Sequence, residues 1–374
     1  MKLKLGLKTF LFIFVMIYGM WVTWYIYISF AEVKNNENRV LTERPMLTTD
    51  NYLSYPQMWE EYFNDHLPFR NELVTVNTVI DLLVFDKSSN DQVIIGRNKW
   101  MFYKSQNGSD SIADYQGTNL YSEENLKDIA QKCIGIDKEL KGQGKEFVIF
   151  IAPNKERIYY DMMPDKYGPP NDEYRTKQLV EYLKKNTNIR VVYPYSELME
   201  AKEKLGNEIY YKTDTHWNYI GGYIGSACLL DELGIEMDDI NEENIVIKKI
   251  GVKEGDLAKM LNIASFTGKF DVEYDVSGYD DHHMIQLEKD FNTVYNCKAE
   301  KADNRKIYVY RDSFSDSMLP YIGSQFDESW FRYSGTYTYE DFLEQDPDIF
   351  VYETVERNLG YLQWFSLVEE ERGK

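Results

Sequence analysis

The chain has 374 residues, of which 43% are hydrophobic and 28% charged, so it is long and apolar enough to bury a core and does not have the composition of a disordered protein. Its 62 acidic and 42 basic residues give a formal net charge of −20, and this negative field argues against a nucleic-acid partner. Three cysteines are too few for the disulfide framework of a small secreted protein.

Residues 9–30 form a run without charge that is long enough to cross a bilayer as one helix. Lys2, Lys4 and Lys8 precede the run and no acidic residue does, so we predict that the N-terminus stays cytoplasmic and the rest lies outside. A cleaved signal peptide is the alternative, but the run is long for one and no Ala-x-Ala site follows it. We therefore expect residues 1–30 to be a cytoplasmic stub and a single-pass anchor in the cell membrane.

The part after the anchor is predicted to hold a stalk and then a hairpin. Residues 31–90 are polar at first and helical later, and we interpret them as a stalk with wrapping helices, the second of which Pro68 would open. Residues 92–103 alternate apolar and polar positions around Gly96, which predicts a β-hairpin. Ser122 is placed to cap the helix that follows it.

From residue 147 onward, short apolar runs alternate with helical stretches, which is typical of a mostly parallel sheet with crossover helices. We expect one α/β domain over residues 91–374, with an irregular insertion at about 237–304. The predicted strands are 147–152, 190–193, 208–211, 306–310 and 348–352, and the predicted helices are 172–185, 196–204, 219–233 and 354–362.

The most informative stretch is Lys-Thr-Asp-Thr-His-Trp-Asn at residues 212–218. If it is locally extended, the side chains of Asp214 and His216 point the same way, as a carboxylate that holds a catalytic histidine must. A serine nucleophile for this pair is Ser313, which follows the predicted strand 306–310 and has backbone N–H groups nearby to receive an oxyanion. Taken singly, each half of this pairing is more typical of an ordinary turn or helix cap than of a catalytic residue.

Several polar residues follow predicted strand ends. Because sites in open α/β sheets lie beyond the carboxyl ends of the strands, we expect Asn154, Asp214, Ser313 and Glu353 to converge on one edge. Further distinctive stretches are Asp-His-Leu-Pro-Phe-Arg at 65–70, Trp-Met-Phe at 100–102, Pro-Asn-Lys at 153–155 and Glu-Thr-Val-Glu-Arg at 353–357.

With these stretches in this order, the sequence resembles the alginate O-acetyltransferase family, the AlgX/AlgJ-like or DHHW proteins, whose catalytic domains are similar to SGNH hydrolases. In ordinary SGNH hydrolases the serine comes first and the Asp/His block last, whereas here the order is reversed, as in this permuted family. The resemblance implies an SGNH-hydrolase-like α/β fold with flanking helices behind one transmembrane helix. One departure is that no glycine precedes Asp312 in the serine turn.

The resemblance further implies a triad in which Ser313 is the nucleophile, His216 the general base and Asp214 its orienting carboxylate. The Ser313 N–H is the expected oxyanion donor. Additional candidate oxyanion or substrate contacts are Asn154, Lys155, Arg357 and Trp217, although surface charge, sheet-edge ion pairs and, for Trp217, packing against the histidine are the competing interpretations.

The implied function is O-acetyl transfer to a cell-surface or secreted polysaccharide, with a multispanning membrane O-acyltransferase as the partner that supplies acyl groups. A carbohydrate esterase with the same triad, or a non-catalytic scaffold for polysaccharide assembly, are the alternatives. We expect no cofactor, and no metal site either, because the Asp-Asp-His-His stretch at 280–283 has no further ligands at metal-binding spacing.

Overall fold

The computed structural model describes residues 2–30, 41–67, 70–85, 87–104, 109–206, 208–290, 294–300 and 302–368. Within these ranges the chain forms two compact units, one of Met1–Ser89 with Lys259–Ala264, and one of Asn90–Ala258 with Ser265–Lys374. The first part of the predicted stalk, residues 31–40, and the predicted helix start at Pro68 lie outside the described residues.

The described elements alternate between helices and strands. The helices are α1 (Lys2–Phe30), α2 (Tyr55–Asp65), α3 (Arg70–Val84), α4 (Ser111–Gln116), α5 (Glu123–Gly142), α6 (Lys155–Ile158), α7 (Arg175–Asn186), α8 (Tyr195–Lys204), α9 (Tyr219–Glu232), α10 (Asp256–Met260), α11 (Ala264–Thr267), α12 (Leu319–Gly323) and α13 (Tyr339–Gln345). The strands are β1 (Val93–Ile95), β2 (Met101–Tyr103), β3 (Glu146–Ala152), β4 (Arg190–Val192), β5 (Val246–Lys253), β6 (Asp271–Ser277), β7 (Ile285–Asp290), β8 (Val294–Lys298), β9 (Asp303–Arg311), β10 (Phe326–Tyr333) and β11 (Ile349–Val355). Short 3-10 helices cover Arg97–Lys99, Tyr160–Met162, Asp165–Tyr167, Ser313–Ser317 and Glu356–Gln363.

In the first unit, α1 is the one described helix that is long and apolar enough to cross a membrane, over the window Gly6–Ile26. This confirms the predicted N-terminal apolar helix by length and composition. Near its end Trp24 packs on Phe63 of α2, with ring centroids 5.2 Å apart.

The second unit is built on one sheet with the strand order β4-β3-β11-β9-β10-β8-β7. The five strands from β4 to β10 run parallel to their neighbours, whereas β8 and β7 are antiparallel. Helices cover both faces. These features confirm the predicted α/β class with a mostly parallel sheet and flanking helices.

The two faces of the sheet pack into two separate cores. On one face Ile307 and Val309 of β9 join α8, α9 and α12. On the other face Tyr308 joins α5, α7 and α13. Side chains along β9 therefore alternate between the two cores, as the pleat of a strand requires.

Several local predictions are confirmed. Val93 pairs with Tyr103 in the predicted hairpin. Ser122 caps α5 in a capping box with Asn125, in which each side chain bonds to the other residue's backbone.

Other predictions are wrong. Residues 208–211 do not form a strand, because the chain turns back at once and leaves a single bridge between Tyr210 and Trp217. The closing helix predicted at 354–362 begins two residues later than predicted and is a 3-10 helix, because β11 extends to Val355. The insertion at 237–304 is more regular than expected, since it holds the β5–β6 pair and two strands of the main sheet.

Candidate functional site

The serine turn is held from two sides. Ser313 is the first residue of the 3-10 helix after β9, and Asp312 caps that helix by accepting a hydrogen bond from Phe314 N at 2.8 Å. The other Asp312 oxygen accepts from Val355 N at 2.7 Å, and the Asp312 N–H donates to Glu353 at 2.8 Å. The end of β11 thus fixes the position of Ser313 at the carboxyl edge of the sheet.

The Asp214–His216 segment is a tight loop that leads into α9. A hydrogen bond from Tyr211 N to His216 O at 3.1 Å closes the loop. After the loop, Asn218 caps α9 by accepting from Ile220 N at 2.9 Å. Thr213 is tied to the Asp271 carboxylate through both its N–H and its hydroxyl. The loop is therefore positioned by hydrogen bonds and not by strand pairing.

The structure brings Ser313, His216 and Asp214 together. His216 Nδ1 lies 2.6 Å from Asp214 Oδ1, and His216 Nε2 lies 2.8 Å from Ser313 Oγ. An ionised carboxylate can only accept, so Nδ1 carries the proton and Nε2 is left to accept from the serine hydroxyl. This is the arrangement that allows an imidazole to act as a base towards a hydroxyl.

The electrostatics of the pair favour an ionised Asp214. Burial alone would raise its pKa, but the charge and hydrogen bonds of His216, together with Lys253, outweigh that effect and hold the pKa of Asp214 well below its usual value. Burial opposes the imidazolium, yet the charge and hydrogen bond of Asp214 raise the pKa of His216 above 6.5. The Asp214 side chain is 3% exposed and that of His216 is 21% exposed, so the base is reachable from solvent while its partner is not.

Sequence reasoning missed Asp256, at the start of α10. Its N–H donates to Asp214 Oδ2 at 3.0 Å, and its carboxylate accepts from Thr215 N at 2.8 Å and Thr215 Oγ1 at 2.6 Å. Burial, followed by the charge of Asp214, raises the pKa of Asp256. No motif marks Asp256, but Gly255 before it does have a reason to be glycine, since a Cβ there would lie 2.1 Å from Thr213 O.

Asp214, His216 and Asp256 hold ligand-type atoms within 4.8 Å of one another, a spacing that a metal ion also requires. Both Asp214 oxygens accept from main-chain or ring N–H groups, and both Asp256 oxygens accept from Thr215, one from its N–H and one from its hydroxyl. The arrangement is therefore complete as a hydrogen-bonded network. At residues 280–283, the aspartates accept from the N–H groups of the two histidines in tight turns.

Asn154 and Arg357 lie at the same sheet edge. Asn154 N donates to Glu356 at 2.8 Å and its Oδ1 accepts from Arg357 N at 3.2 Å, while its buried Nδ2 has no hydrogen-bond partner among the described residues. The Arg357 guanidinium lies 5.2 Å from the Phe314 ring. In the part of the chain that the structure describes, no carboxylate forms an ion pair with it, so both groups have donors available for a ligand.

Lys155 and Trp217 do not have the roles that the sequence suggested as candidates. Lys155 is buried, and its three ammonium hydrogens match three main-chain carbonyls, those of Met101 at 2.6 Å, Lys212 at 3.0 Å and Asp214 at 2.9 Å. Burial lowers its pKa to about 8. These three hydrogen bonds stabilise the loop that carries Asp214 and His216. Because all its donors are occupied, Lys155 has none left for an oxyanion.

Trp217 is 1% exposed, and its indole N–H donates to Phe314 O at 2.7 Å. It cannot serve as a platform for a sugar. The packing interpretation is the correct one, because the ring ties the histidine loop to the serine turn.

Comparisons with known proteins all point to the same family. The family model for the SGNH hydrolase-like domain of the acetyltransferase AlgX matches residues 93–279, half of the chain. The match includes Asp214 and His216 and ends before Ser313.

Curated relatives and solved structures agree with it. The chain is 22% identical over 209 residues to the probable alginate O-acetylase AlgJ of Azotobacter vinelandii, covering 54% of this chain and 50% of that protein. It is also 22% identical over 170 residues to the probable alginate O-acetylase AlgJ of Pseudomonas syringae pv. tomato, and this match covers 46% of this chain and 40% of that protein. The chain thus spans half or less of these relatives. PatB1 of Bacillus cereus shares the fold, with a TM-score of 0.51 and 13% identity over 72% of this chain and 97% of that one.

Proposed function

We propose that this chain, which belongs to the SGNH hydrolase-like AlgX acetyltransferase family, is a serine-dependent O-acetyltransferase that modifies hydroxyls of a cell-surface or secreted polysaccharide. The observation that supports this most directly is the hydrogen-bonded series from Asp214 through His216 to Ser313 at an accessible sheet edge. A scaffold has no physical need for that series.

In the first half of the proposed reaction, Ser313 Oγ attacks the carbonyl carbon of an acetyl ester while His216 Nε2 takes the hydroxyl proton. Asp214 stabilises the imidazolium that results. The bond from the carbonyl carbon to the donor alcohol then breaks, and the imidazolium returns the proton to the departing oxygen, which leaves an acetyl-serine.

In the second half, a sugar hydroxyl attacks the acetyl-serine and gives its proton to His216 Nε2. The bond between the acetyl carbon and Ser313 Oγ breaks, and the serine regains a proton from the imidazolium. The net result is an acetyl group moved from the donor to the sugar, with the enzyme unchanged.

Both tetrahedral intermediates place negative charge on the former carbonyl oxygen. The Ser313 N–H is one donor for this charge, because it is the first N–H of its 3-10 helix and has no acceptor within that helix. The unpaired Nδ2 of Asn154 and the guanidinium of Arg357 are the side-chain donors that we assign to the same role.

We further propose that α1 anchors the chain as a single-pass helix, with the lysines before it cytoplasmic and residues 91–374 outside the cytoplasm. In sequence, residues 31–90 lie between the anchor and the catalytic domain. An enzyme that acetylates a polysaccharide outside the cytoplasm needs acetyl groups to be brought across the membrane. We propose that a multispanning membrane O-acyltransferase is the partner that supplies them.

Water can replace the sugar in the second half, which would make the chain a carbohydrate esterase. The exposed edge of His216 supports this as the second candidate, since solvent reaches the base. Transfer and hydrolysis differ only in whether acetylated sugar is formed.

The test is intact-mass analysis of the full-length chain in detergent after exposure to 4-nitrophenyl acetate. We expect one added acetyl group on the wild type, mapped to Ser313, and none on Ser313→Ala or His216→Ala. Adding an oligosaccharide then distinguishes the two enzymatic candidates by the appearance of acetylated product. A folded wild-type chain that gains no acetyl group would contradict the proposal and favour the scaffold.

A further inference from the structure

A cavity of about 590 Å³ lies where β9, β10 and β11 end, directly beside the serine turn. Asp312, the residue before Ser313, forms part of its wall, and successive Cα atoms are only ~3.8 Å apart. The cavity is otherwise lined by aromatic side chains and a few polar ones. We call it the aromatic cavity, and the lining residues used below are Tyr361, Trp364, Glu353, Asn358, Arg311 and Asp312.

The aromatic cavity is on the opposite face of the sheet from the histidine. Its floor is formed by Tyr310 and Tyr352, which stack with ring centroids 5.1 Å apart and pack against Phe365 in one core. Trp217 and Phe314, which contact the His216 side of the site, belong to the other core. A ligand in the aromatic cavity therefore approaches Ser313 without displacing His216.

The rim of the aromatic cavity holds two large aromatic side chains that the fold leaves open. Tyr361 is 56% exposed and Trp364 is 55% exposed, although the chain has a well-packed core next to them. An open aromatic face combines apolar surface with a polar edge and a negative π-face. The C–H groups on the face of a sugar ring fit that surface.

The wall also contains a buried carboxyl group that adds no charge of its own. Glu353 is 2% exposed, and one of its oxygens accepts from Asp312 N at 2.8 Å. Burial, and then the charge of Asp312, raise the pKa of Glu353 well above its usual value, which favours its uncharged, protonated form.

Asn358 adds a hydrogen-bond donor to the wall. Its Oδ1 accepts from Ser109 at 2.9 Å, which leaves its NH2 group to face a ligand. A sugar hydroxyl can accept a hydrogen bond from that group. A pocket with aromatic faces and a few convergent polar groups has the chemistry of a small-ligand site.

The charges in the wall disfavour an anionic ligand. Among the lining residues the one cation is Arg311, which is fully buried and paired with Asp316 at 2.5 Å. Asp312 is acidic, and the whole chain has a net charge of −20. A uronate carboxylate placed here would face like charge, and no lining residue offers it a free cation.

We propose that the aromatic cavity is the acceptor subsite and that it binds an uncharged, hydroxyl-rich glycan, a neutral hexose or N-acetylhexosamine chain, in preference to a uronate polymer. This inference rests on the proposed function and specifies its acceptor. One sugar stacks on Trp364 and Tyr361, and the neighbouring sugar of the same chain presents its hydroxyl to the acetyl group on Ser313.

The test measures binding and turnover separately, on the full-length chain in detergent. Calorimetric titration of Ser313→Ala with hexamers of N-acetylglucosamine, glucose and mannuronate measures binding without reaction. We expect at least one neutral hexamer to bind and mannuronate to bind more weakly. Adding Trp364→Ala or Tyr361→Ala should raise the dissociation constant of the neutral hexamer by roughly tenfold, which is the size expected for the loss of an aromatic stacking contact.

In the enzyme with its serine intact, Trp364→Ala should raise the KM for the neutral acceptor by a similar factor. Tyr160→Ala is the matched control, since Tyr160 is 43% exposed and does not line the aromatic cavity. Thermal unfolding of each variant checks that the fold is intact, as expected for exposed side chains.

Equal affinities of the Trp364, Tyr361 and Tyr160 variants for the neutral hexamers would overturn the proposal, as would a preference for mannuronate. If Ser313 is not acetylated in the wild type but Trp364→Ala still abolishes glycan binding, the transferase function fails while glycan binding by the aromatic cavity is upheld. If Ser313 is acetylated and transfers acetyl groups to a uronate acceptor only, the function is upheld and the inference about its acceptor fails.

Discussion

Replacing Asp214 with asparagine tests how the loop activates Ser313. Asp214 Oδ1 accepts from His216 Nδ1 at 2.6 Å and His216 N at 3.0 Å, and Oδ2 accepts from Asp256 N at 3.0 Å. Every one of these partners is an N–H donor, so the amide NH2 of asparagine must oppose a donor whichever way it turns.

The size of the effect depends on that orientation. With the NH2 towards His216, the imidazole changes tautomer and Nε2 no longer accepts from Ser313, a change that costs about 10⁴-fold in rate, or about 5 kcal/mol of barrier, in a triad. With the NH2 towards Asp256, the tautomer survives but the negative charge that stabilises the imidazolium is lost, which costs about 10²-fold. We therefore expect Ser313 acetylation to slow by about 10²- to 10⁴-fold.

The assay is the rate of 4-nitrophenol release, with intact mass to confirm acetylation at Ser313, as a function of pH. Because Asp214 raises the pKa of His216, Asp214→Asn should also move any residual pH midpoint to lower pH. Asp165→Asn is the control, since that carboxylate is 87% exposed on a surface 3-10 helix. A loss of less than tenfold in Asp214→Asn, with no shift in pH midpoint, would refute the role assigned to the carboxylate.

Three further outcomes are expected. Because only neutral His216 is a base and its pKa is raised, the acetylation rate of the wild type should rise with pH through a midpoint above 6.5, and a midpoint below that value would contradict the electrostatics described above. Lys155→Met leaves three buried carbonyls without their donor and should lower the free energy of unfolding by about 3 kcal/mol or more in urea denaturation, whereas a change under about 1 kcal/mol would show that the ammonium is not needed. Gly255→Ala puts a Cβ against Thr213 O and should slow acetylation by displacing the loop, while Gly251→Ala, whose Cβ would meet nothing closer than 3.6 Å, should not, and equal rates in the two variants would count against the close approach.

Much of the architecture could be predicted from local patterns. The apolar runs that became β3, β9 and β11 are short, β-branched or aromatic, and bounded by polar residues, so their strand character is determined by neighbours in sequence. The strand β10 was missed because Asp327, Glu328 and Arg332 interrupt its apolar residues, and these side chains find partners on β8 and β9 only once those strands are in place. The same dependence explains β7 and β8, which lie at the edge of the sheet and have no uninterrupted apolar run.

For the site, local patterns showed that Ser313 follows a strand, and parallel strands bring such residues to one edge. They did not place Asp214 and His216, because residues 208–211 form no strand and the loop is held by hydrogen bonds such as those of Thr213 to Asp271. Tertiary packing set the direction of the side chains beyond the strands. It turned Lys155 and Trp217 into the interior, brought Asp256 from 42 residues away to the Asp214 carboxylate, and left Trp364 open beside the serine turn. Such contacts join segments far apart in the chain, so no local pattern encodes them.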